Sequence, residues 1–575
     1  MAKFLVGIVT GLILAVLLGL SVAFALMRTG AEKPPSVASG STLVLQLRGD
    51  IPERPPVEYP IPILQDRNRL TVASVWMALK KAAADSRINA VVVEPTNLDI
   101  GWAKMQEIRH NLETFKKSGK PLYAYLKTPG TREYYLASVA DRIYMAPEDM
   151  VDVKGMRVEM MFFKRTADKL GVEVQIEHAG RYKDFGEMFT RTEASPESRE
   201  ALNALVDSLY SDLVFRLAES RKMTVEQMRA TINQGPFLAE QAKAMGLVDG
   251  LIYEDEMWGE LKKQLKIKDV KKVAIREYRK VPASSVGLEG KHRVALVVAE
   301  GGITRGEPSS DGYSDDGIES EGFNKTLRRV AEDSRIRGVV VRIDSPGGEV
   351  FASDAIWREM NLLSRKKPVV ISMSDAAASG GYYIAMSGDP VLAYPGTITG
   401  SIGVVFGKAN LRGLYDKLGI TKDVISRGEF ATIDSDYRPL TEVERRKLRD
   451  GIEAHYRSFV QKVADARKRK YEDIAAVAEG RVWTGSDAKA NGLIDELGGL
   501  DRAIELVKKR ANIPAAENIQ LVTYPPRRTI FEVIFGTAQQ AAIPPVVRNL
   551  MRGFDLNLWA KGGYLRVMPF SLEFQ

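Results

Sequence analysis

The 575-residue chain contains no cysteine and only four histidines. Without cysteine it can form no disulfide bond, bind no metal through thiolate and use no cysteine nucleophile. The histidines, His110, His178, His292 and His455, show neither the HxxH nor the HExxH spacing of metal-binding helices. The sequence therefore predicts neither a metal site nor a cofactor.

A large excess of charge of one sign is also absent, since 82 basic and 74 acidic residues leave a net charge of +8. A concentrated basic patch would favour nucleic acid or an anionic membrane surface. Here the lysines and arginines alternate with acids, as in residues 259–280 and 441–470, which is typical of solvated helix faces. We expect no nucleic-acid partner.

Long hydrophobic runs are absent except at the N-terminus, where 23 uncharged residues extend from Phe4 to Leu26. As an α-helix this run would rise about 35 Å, enough to cross a bilayer. The apolar stretch of a cleaved signal peptide spans only roughly 7–15 residues, so residues 1–28 are predicted to be a membrane anchor. A small-x-small pattern at residues 23–25 leaves a long, cleaved signal peptide as the alternative. The flanking charges are too balanced to fix the orientation.

The chain contains an internal repeat. Residues 83–93 recur as residues 331–341, an offset of 248, and residues 242–249 recur as residues 488–495, an offset of 246. A register kept over this length indicates a tandem duplication. Each copy is predicted to be an α/β domain, because short apolar runs alternate with amphipathic segments, as expected for a parallel sheet covered by helices.

The repeat and the local composition divide the chain into six parts. The segment after the anchor is rich in glycine, proline, serine and alanine, which is typical of a flexible tether. The last segment contains many prolines and aromatic residues, and we expect it to pack at an interface. The six parts are an anchor (1–28), a tether (29–41), an N-terminal repeat (42–252), a connector (253–290), a C-terminal repeat (291–510) and a tail (511–575).

The two copies differ at positions where chemistry is expected. Ser379 in the second copy is aligned with Thr131 in the first, and Lys183 in the first copy is aligned with Ala431 in the second. One copy therefore keeps a candidate nucleophile, and the other keeps a candidate base. This reciprocal loss predicts a single active site divided between the two repeats.

Glycines next to strand ends predict an oxyanion hole. Gly347 and Gly348 follow one apolar strand, whereas Ser379 and Gly380 follow the next strand and begin a helix-like segment. Backbone N–H groups at such turns and at a helix N-terminus favour negative charge. The N–H of Gly380, together with that of Gly347 or Gly348, would form the two-donor site used in acyl transfer. The alternative is that both clusters are tight turns and that Ser379 caps a helix.

A serine with its ordinary pKa needs a base in order to act as a nucleophile. Lys183 lies between Tyr182 and Phe185, which could supply the apolar surroundings that lower a lysine pKa towards neutrality. Its position in the repeat, just past a glycine that both copies keep, distinguishes it from the many other lysines. His178, five residues earlier, stays open as an alternative base.

Four segments together resemble the signal peptide peptidase A family in its long, tandem-repeat form, also called protease IV. The resemblance extends from the predicted anchor to the tail. It implies a tandem duplication of a ClpP/crotonase-like α/β domain with parallel sheets, preceded by one transmembrane helix. The segments are residues 344–348 (DSPGG), 375–383 (DAAASGGYY), 399–403 (TGSIG) and 180–183 (GRYK).

The resemblance also assigns roles within the site. It implies a serine endopeptidase in which Ser379 is the nucleophile and Lys183 is the general base and acid. It further implies that Ser401 hydrogen-bonds and orients the lysine. The first copy has Val153 at the position of Ser401, so it has lost this element as well.

For the whole protein, the resemblance implies a homotetramer shaped like a bowl whose mouth faces the membrane. It places the chain in the bacterial inner (cytoplasmic) membrane as a single-pass protein, with the catalytic part on the periplasmic, extracytoplasmic side. The implied substrates are peptides, namely remnant signal peptides released into the membrane.

Two other functions fit part of the sequence. An acyl-CoA enzyme of the crotonase type would use the same superfold and a glycine-backed oxyanion hole, but the anchor and Ser379 argue against it. A non-catalytic membrane scaffold would explain the repeats. Decay of a scaffold should, however, erase the chemistry of both copies rather than reciprocal parts of it.

Overall fold

The computed structural model of the chain describes residues 11, 35–54, 69–306, 317–525 and 563–568. Apart from residue 11, the predicted anchor lies outside the described residues, as do part of the tether and most of the tail. Within the described ranges, no helix combines the length and the apolar character needed to cross a membrane.

The strands are numbered in chain order. Most of them are short, and the long ones are the buried central strands of the two copies. They are β1 Ser41–Gly49, β2 Ile88–Leu98, β3 Leu122–Leu126, β4 Arg142–Met145, β5 Met150–Val151, β6 Glu173–Ala179, β7 Phe237–Leu238, β8 Gly250–Leu251, β9 Lys271–Ala274, β10 His292–Glu300, β11 Gly302–Thr304, β12 Gly317–Glu319, β13 Ile336–Ser345, β14 Gly347–Glu349, β15 Val369–Ala378, β16 Val391–Ala393, β17 Ile398–Gly400, β18 Val404–Asn410, β19 Val482–Thr484, β20 Glu496–Leu497, β21 Ile519–Tyr524 and β22 Gly563–Val567.

The helices are numbered in the same way, and a short 3₁₀ helix covers Ala283–Val286. They are α1 Val72–Ala84, α2 Trp102–Lys116, α3 Thr131–Ala137, α4 Lys164–Leu170, α5 Glu187–Thr190, α6 Pro196–Arg221, α7 Val225–Ile232, α8 Ala239–Ala244, α9 Glu254–Leu265, α10 Ile275–Tyr278, α11 Ser320–Glu332, α12 Val350–Lys366, α13 Gly380–Ala385, α14 Arg412–Leu418, α15 Glu442–Arg467, α16 Tyr471–Ala475, α17 Gly485–Ala490 and α18 Leu500–Arg510.

Each repeat forms its own sheet, whose strand pairs are parallel except for the antiparallel pair of β17 and β19 in the C-terminal repeat. In the N-terminal repeat the strand order is β8-β4-β3-β2-β1-β9, and in the C-terminal repeat it is β19-β17-β15-β13-β10-β21, with β16 and β20 attached beside β15. The valines of β2 at 91–93 and of β13 at 339–341 are fully buried, as expected for strands covered by helices on both faces. The predicted duplicated α/β architecture with parallel sheets is therefore confirmed.

Both sheets take an edge strand from outside the repeat predicted to contain them. Strand β9 lies in the segment predicted to be a connector, and it pairs in parallel with β1. Strand β21 lies in the tail, and it pairs in parallel with β10. These parts of the connector and of the tail thus belong to the two sheets of the same chain.

A third sheet is built from both repeats and from the tail, in the order β12-β11-β14-β22-β18-β6. Strand β6 of the N-terminal repeat pairs antiparallel with β18 of the C-terminal repeat along its whole length, from Glu173 opposite Asn410 to Ala179 opposite Val404. Strand β22 pairs antiparallel with both β14 and β18. This sheet is where the two copies and the end of the chain meet.

A buried ionic group joins the repeats at another place. The Arg342 side chain on β13 lies between two carboxylates of the N-terminal repeat, 2.7 Å from Glu53 and in contact with Glu107. Its guanidinium also donates to the Ser372 hydroxyl at 2.8 Å. Arg342, Glu53 and Glu107 are at most 3% exposed. Such a group depends on all its members, because removal of one leaves the others charged and unpaired.

The substitution Arg342→Met should therefore destabilise the protein by about 3–5 kcal/mol, the usual cost of leaving a buried charge without its partner. Chemical denaturation followed by circular dichroism measures this loss. Arg335→Met is the matched control, since Arg335 pairs with Asp333 on the surface and should change stability little. Equal effects of the two substitutions would show that the buried group does not hold the repeats together.

Candidate active site

Ser379 occupies the turn between β15 and α13. Its backbone has φ +54° and ψ −111°, a conformation that L-residues seldom adopt and that costs on the order of 1–3 kcal/mol. The turn is held by its own N–H, which donates to the Gly400 carbonyl at 2.8 Å. The serine is fully buried and stands at the start of a helix. The fold thus maintains a strained serine at the end of a central strand.

Lys183 reaches this serine from the other repeat. It follows β6, and its Nζ lies 2.8 Å from the Ser379 Oγ. The same nitrogen lies 2.8 Å from the Ser401 Oγ and 3.0 Å from the Ser401 carbonyl oxygen. The structure therefore brings together the three side chains that the sequence analysis singled out, although they are separated by 196 and 218 positions along the chain.

The surroundings of Lys183 favour a neutral amine. Burial lowers the pKa of Lys183 well below its ordinary value, and the positive charge of Arg566 lowers the pKa further. The nearby Asp184 carboxylate acts in the opposite direction, but desolvation is the largest effect. A neutral amine can accept a proton from a hydroxyl at hydrogen-bond distance.

The desolvation of Lys183 depends on close backbone approach from the C-terminal repeat. A Cβ at Gly480 would lie 2.6 Å from the Lys183 Cβ, and one at Gly403 would lie 3.0 Å from the Lys183 Cδ. Any larger residue at Gly480 would push the lysine side chain out of place. Gly403 lies two positions after Ser401 in the sequence, and Gly480 directly precedes Arg481. The Ser401 N–H donates to the Arg481 carbonyl at 2.8 Å, so both glycines adjoin the segment that carries Ser401.

The two glycine clusters adjoin each other next to Ser379. A Cβ at Gly347 would lie 2.7 Å from the Gly380 nitrogen, and one at Gly380 would lie 3.1 Å from the Gly348 nitrogen. The Gly347 N–H donates to the Ser345 hydroxyl at 3.2 Å. Of the two alternatives from the sequence, Gly348 is therefore the better partner for Gly380 in a two-donor oxyanion hole.

The tail strand β22 covers these glycines. Gly347 faces Val567 and Gly348 faces Arg566 across the antiparallel pairing with β14. The Arg566 carbonyl oxygen lies so near that a Cβ at Gly347 would be 2.0 Å from it, and one at Gly380 would be 3.2 Å from it. An extended peptide can thus place a carbonyl group against the predicted oxyanion hole.

A carboxylate lies at the aligned turn of the N-terminal repeat. Glu133, which is aligned with Gly381, accepts hydrogen bonds from the Leu98 N–H at 2.7 Å and from the Gly130 N–H at 3.0 Å. The side chain is 8% exposed. These two donors are aligned with Pro346 and Ala378 and not with Gly348 and Gly380, so in the first copy a different pair of N–H groups binds an acceptor from its own chain.

The alternative base from the sequence analysis lies elsewhere. The Nδ1 of His178 lies 3.1 Å from the Gly180 carbonyl oxygen, and the side chain is exposed. Among the described residues, Lys183 is the basic side chain that hydrogen-bonds to Ser379. Within these residues there is also no group of three or more histidine or acidic side chains arranged to hold a metal ion.

Sequence reasoning assigned no role to three residues around the site. They are Glu133, Arg566 on β22, and Lys104, whose Nζ lies 2.7 Å from Asp344 at the start of the DSPGG segment. A signal was present for two of them, because the alignment of the copies pairs Glu133 with Gly381 and Lys104 with Ala352. Nothing in the sequence indicates that the tail would return to the glycines.

Comparison with known proteins identifies the family. The profile of peptidase family S49 matches residues 114–268 and again residues 361–514, which is more than half of the chain. The chain belongs to peptidase family S49. The Clp protease profile also matches this S49 peptidase, at residues 316–398, in agreement with its ClpP-like fold.

Relatives of this S49 peptidase resemble it over most of its length. Serine protease SPPA, chloroplastic, from Arabidopsis thaliana is 36% identical over 84% of this chain and 71% of its own. Protease 4 from Salmonella typhi is 30% identical over 91% of this chain and 87% of its own, and Protease 4 from Haemophilus influenzae (strain ATCC 51907 / DSM 11121 / KW20 / Rd) is 29% identical over 86% and 83%. The predicted resemblance to the long, tandem form is confirmed, and the chain is a serine peptidase that acts on peptides. This membership speaks against an acyl-CoA enzyme and against an inert scaffold.

The lowered pKa of Lys183 has a measurable consequence for stability. Between its folded pKa and the ordinary value of 10.5, this group binds fewer protons in the folded than in the unfolded protein, so its contribution to stability rises with pH. Relative to the parent, the free energy of unfolding of Lys183→Met should therefore be most favourable at the low end of this range, and the advantage should disappear as the pH approaches 10.5. Denaturation midpoints of both proteins across this range measure the difference. A difference independent of pH would contradict the lowered pKa.

Proposed function

We propose that this S49 peptidase is an endopeptidase with a Ser–Lys dyad shared between its two repeats. The observation that carries the proposal is the 2.8 Å separation between the Lys183 Nζ and the Ser379 Oγ. A buried amine of lowered pKa, held at hydrogen-bond distance from a hydroxyl, is the arrangement that general-base activation of a serine requires. Neither repeat contains both groups.

The reaction proceeds in two stages. Neutral Lys183 takes the proton of Ser379 as the Oγ attacks the peptide carbonyl, and the N–H groups of Gly380 and Gly348 stabilise the resulting oxyanion. The C–N bond then breaks, and the protonated lysine gives its proton to the departing amine. In the second stage a water molecule loses a proton to Lys183, attacks the acyl-enzyme and releases the carboxylic acid as Ser379 regains its proton.

Ser401 orients the base in this mechanism. Its hydroxyl and its carbonyl oxygen are both within 3.0 Å of the Lys183 Nζ, so they fix two directions around the nitrogen. The third direction around the Lys183 nitrogen points to the Ser379 hydroxyl. This arrangement limits the rotation of the long lysine side chain and leaves the lone pair of a neutral amine available to the serine proton.

Replacement of either dyad member should abolish peptide hydrolysis. For Ser379→Ala and for Lys183→Ala we expect kcat/KM to fall by at least about 10³-fold, because nucleophile and base act as one unit. Ser379→Ala should also lose covalent labelling by a serine-directed acylating probe. The measurement is cleavage of a quenched fluorescent peptide, together with labelling followed by mass spectrometry.

Two matched variants control for the removal of a buried serine or lysine. Ser387 is a buried serine whose hydroxyl donates to the Ile384 carbonyl, and Lys81 is a buried lysine whose Nζ donates to the Val281 carbonyl at 2.7 Å. Ser387→Ala and Lys81→Ala should keep turnover within a few-fold of the parent. Near-normal hydrolysis by Ser379→Ala or by Lys183→Ala would refute the dyad.

We propose that substrates bind as an extended strand at the place that β22 occupies. The strand pairs antiparallel with β14 and with β18, so both edges offer backbone hydrogen bonds to a peptide. The position of the Arg566 carbonyl against Gly347 and Gly380 is the one that a scissile carbonyl needs. A substrate can take this position only when β22 has left it.

Arg566 makes this departure easier. Its side chain is 1% exposed and stacks 3.8 Å from the centre of the Tyr383 ring, but its Nε and Nη1 have no hydrogen-bond partner among the described residues. A buried guanidinium with unsatisfied donors is costly. Truncation after residue 562 should therefore raise kcat/KM for short peptides several-fold, whereas truncation after residue 568 should not. A loss of activity in a folded 562 truncation would show that β22 forms part of the peptide site instead.

The wider setting of the enzyme is proposed on the family resemblance and on two features of the chain. The uncharged run from Phe4 to Leu26 supports anchoring by a single membrane pass. The resemblance alone supports the bacterial inner membrane as the location, the extracytoplasmic side for the catalytic part and remnant signal peptides as the substrates. Exposed apolar side chains in the segment 418–425, including Ile425 at 85% exposure, support self-association into a homotetramer.

A further inference from the structure

Lys104 links the two repeats directly beneath the proposed catalytic turns. It lies on α2 of the N-terminal repeat and is 5% exposed. Its Nζ is 2.7 Å from the Asp344 carboxylate, 3.7 Å from the Asp375 carboxylate and 3.9 Å from Glu300, all three in the C-terminal repeat. A lysine of one repeat is thus held among three carboxylates of the other.

Asp344 and Asp375 are attached to the backbone that carries the proposed chemistry. Asp344 directly precedes the turn with Gly347 and Gly348, and its carboxylate accepts from the Ala376 N–H at 3.0 Å. Asp375 stands four positions before Ser379 on β15, and it accepts from the Lys104 N–H at 2.9 Å. The ends of β13 and β15 are therefore joined to each other and to α2.

Asp375 contacts the Lys104 side chain and also holds the helix α2 itself in place. Its second carboxylate oxygen accepts from the Gly101 N–H at 2.9 Å, so the carboxylate caps the helix that presents the lysine. A Cβ at Gly101 would lie 2.4 Å from the Asp375 side chain, which shows how closely the two repeats approach here. The position of the lysine relative to the two turns is fixed by several independent contacts.

The two copies carry different residues at the positions of this ionic group. In the register of the repeat, Lys104 is aligned with Ala352, Asp344 with Thr96 and Asp375 with Lys127. The lysine is kept in the first copy, and the acids are kept in the second. This is the same reciprocal pattern that Ser379 and Lys183 show, and it separates this group from contacts that both copies retain.

We infer that Lys104 is a positioning residue for peptide hydrolysis, which fixes the oxyanion turn and the nucleophile turn relative to each other through Asp344 and Asp375. This inference rests on the proposed function, because it takes Ser379 as the nucleophile. Lys104 does not touch the reacting atoms. It acts by holding Gly348 and Gly380 at the spacing that two donors to one oxygen require, and small errors in such spacing reduce rates strongly.

The test is Lys104→Met in the full-length protein. We expect kcat and the rate of labelling by a serine-directed acylating probe to fall about 10- to 100-fold, the range that follows a misplacement of about 1 Å. KM should change less than about two-fold, because the edges of β14 and β18 that bind the peptide are not altered. Lys104→Arg, which keeps the charge, should recover part of the rate.

Two further variants separate positioning from general loss of stability. Lys81→Met removes a buried lysine of the N-terminal repeat that binds the backbone carbonyls of residues 278, 279 and 281 and has no hydrogen bond to the proposed site residues. It should lower the unfolding temperature without changing kcat. Lys104→Met combined with Asp344→Asn removes the carboxylate nearest to the lost amine, so it should restore part of the stability while kcat stays low. Recovery of both stability and kcat in the double variant would overturn the inference.

The outcomes also separate this inference from the proposed function. If Ser379→Ala is inactive and folded Lys104→Met labels at the parental rate, the dyad stands and the positioning role fails. If Lys104→Met loses rate only in proportion to its unfolded fraction, as Lys81→Met would, the role is structural and the inference fails. If Ser379→Ala still hydrolyses peptides, the proposed function itself fails.

Discussion

The antiparallel pairing of β6 with β18 is the constraint on which the candidate site depends. It carries the chain of the N-terminal repeat along the C-terminal repeat and ends with Ala179 opposite Val404, so that Lys183 follows immediately beside Ser401. The positions aligned with β6, residues 421–427, form no strand, nor do those aligned with β18 at 156–162. One of two pseudo-symmetric pairings has formed, and it unites the lysine of one copy with the serine of the other.

This pairing also supplies the electrostatic condition that the proposed chemistry requires. A lysine becomes neutral only where water is excluded, and here the exclusion comes from backbone that passes against the side chain at Gly403 and Gly480. The arrangement is unfavourable for stability, because an amine and a strained Ser379 are both kept in states that the chain would otherwise avoid. Ionic contacts between the repeats, at Arg342 and at Lys104, hold the two halves together around it.

The sequence predicted the parts of this structure that the internal repeat makes visible. Apolar runs alternating with amphipathic segments predicted the parallel sheets, and the glycine motifs predicted the turns that follow their strands. The register of the copies identified the reciprocal positions of Ser379 and Lys183. It could not predict contacts formed by residues that have no counterpart. Strand β22 lies outside the repeat altogether. Lys104 and Asp344 differ from their counterparts, but one sequence does not show that two such differences meet in space across 240 positions of the chain.

The first copy differs from the second at the turn that is aligned with Ser379, and this difference favours a site divided between the repeats. At the turn aligned with Ser379, Thr131 has no positive φ, and the backbone donors of Leu98 and Gly130 are satisfied by Glu133. Thr131 is therefore free of the φ strain that Ser379 carries, although Thr128, earlier in the same turn, has φ +44°. Because the proposed reactive turn is confined to one copy, the other copy can be a rigid support. The lysine that the proposed chemistry requires in a precise position is then presented from the domain that does not carry the strained Ser379.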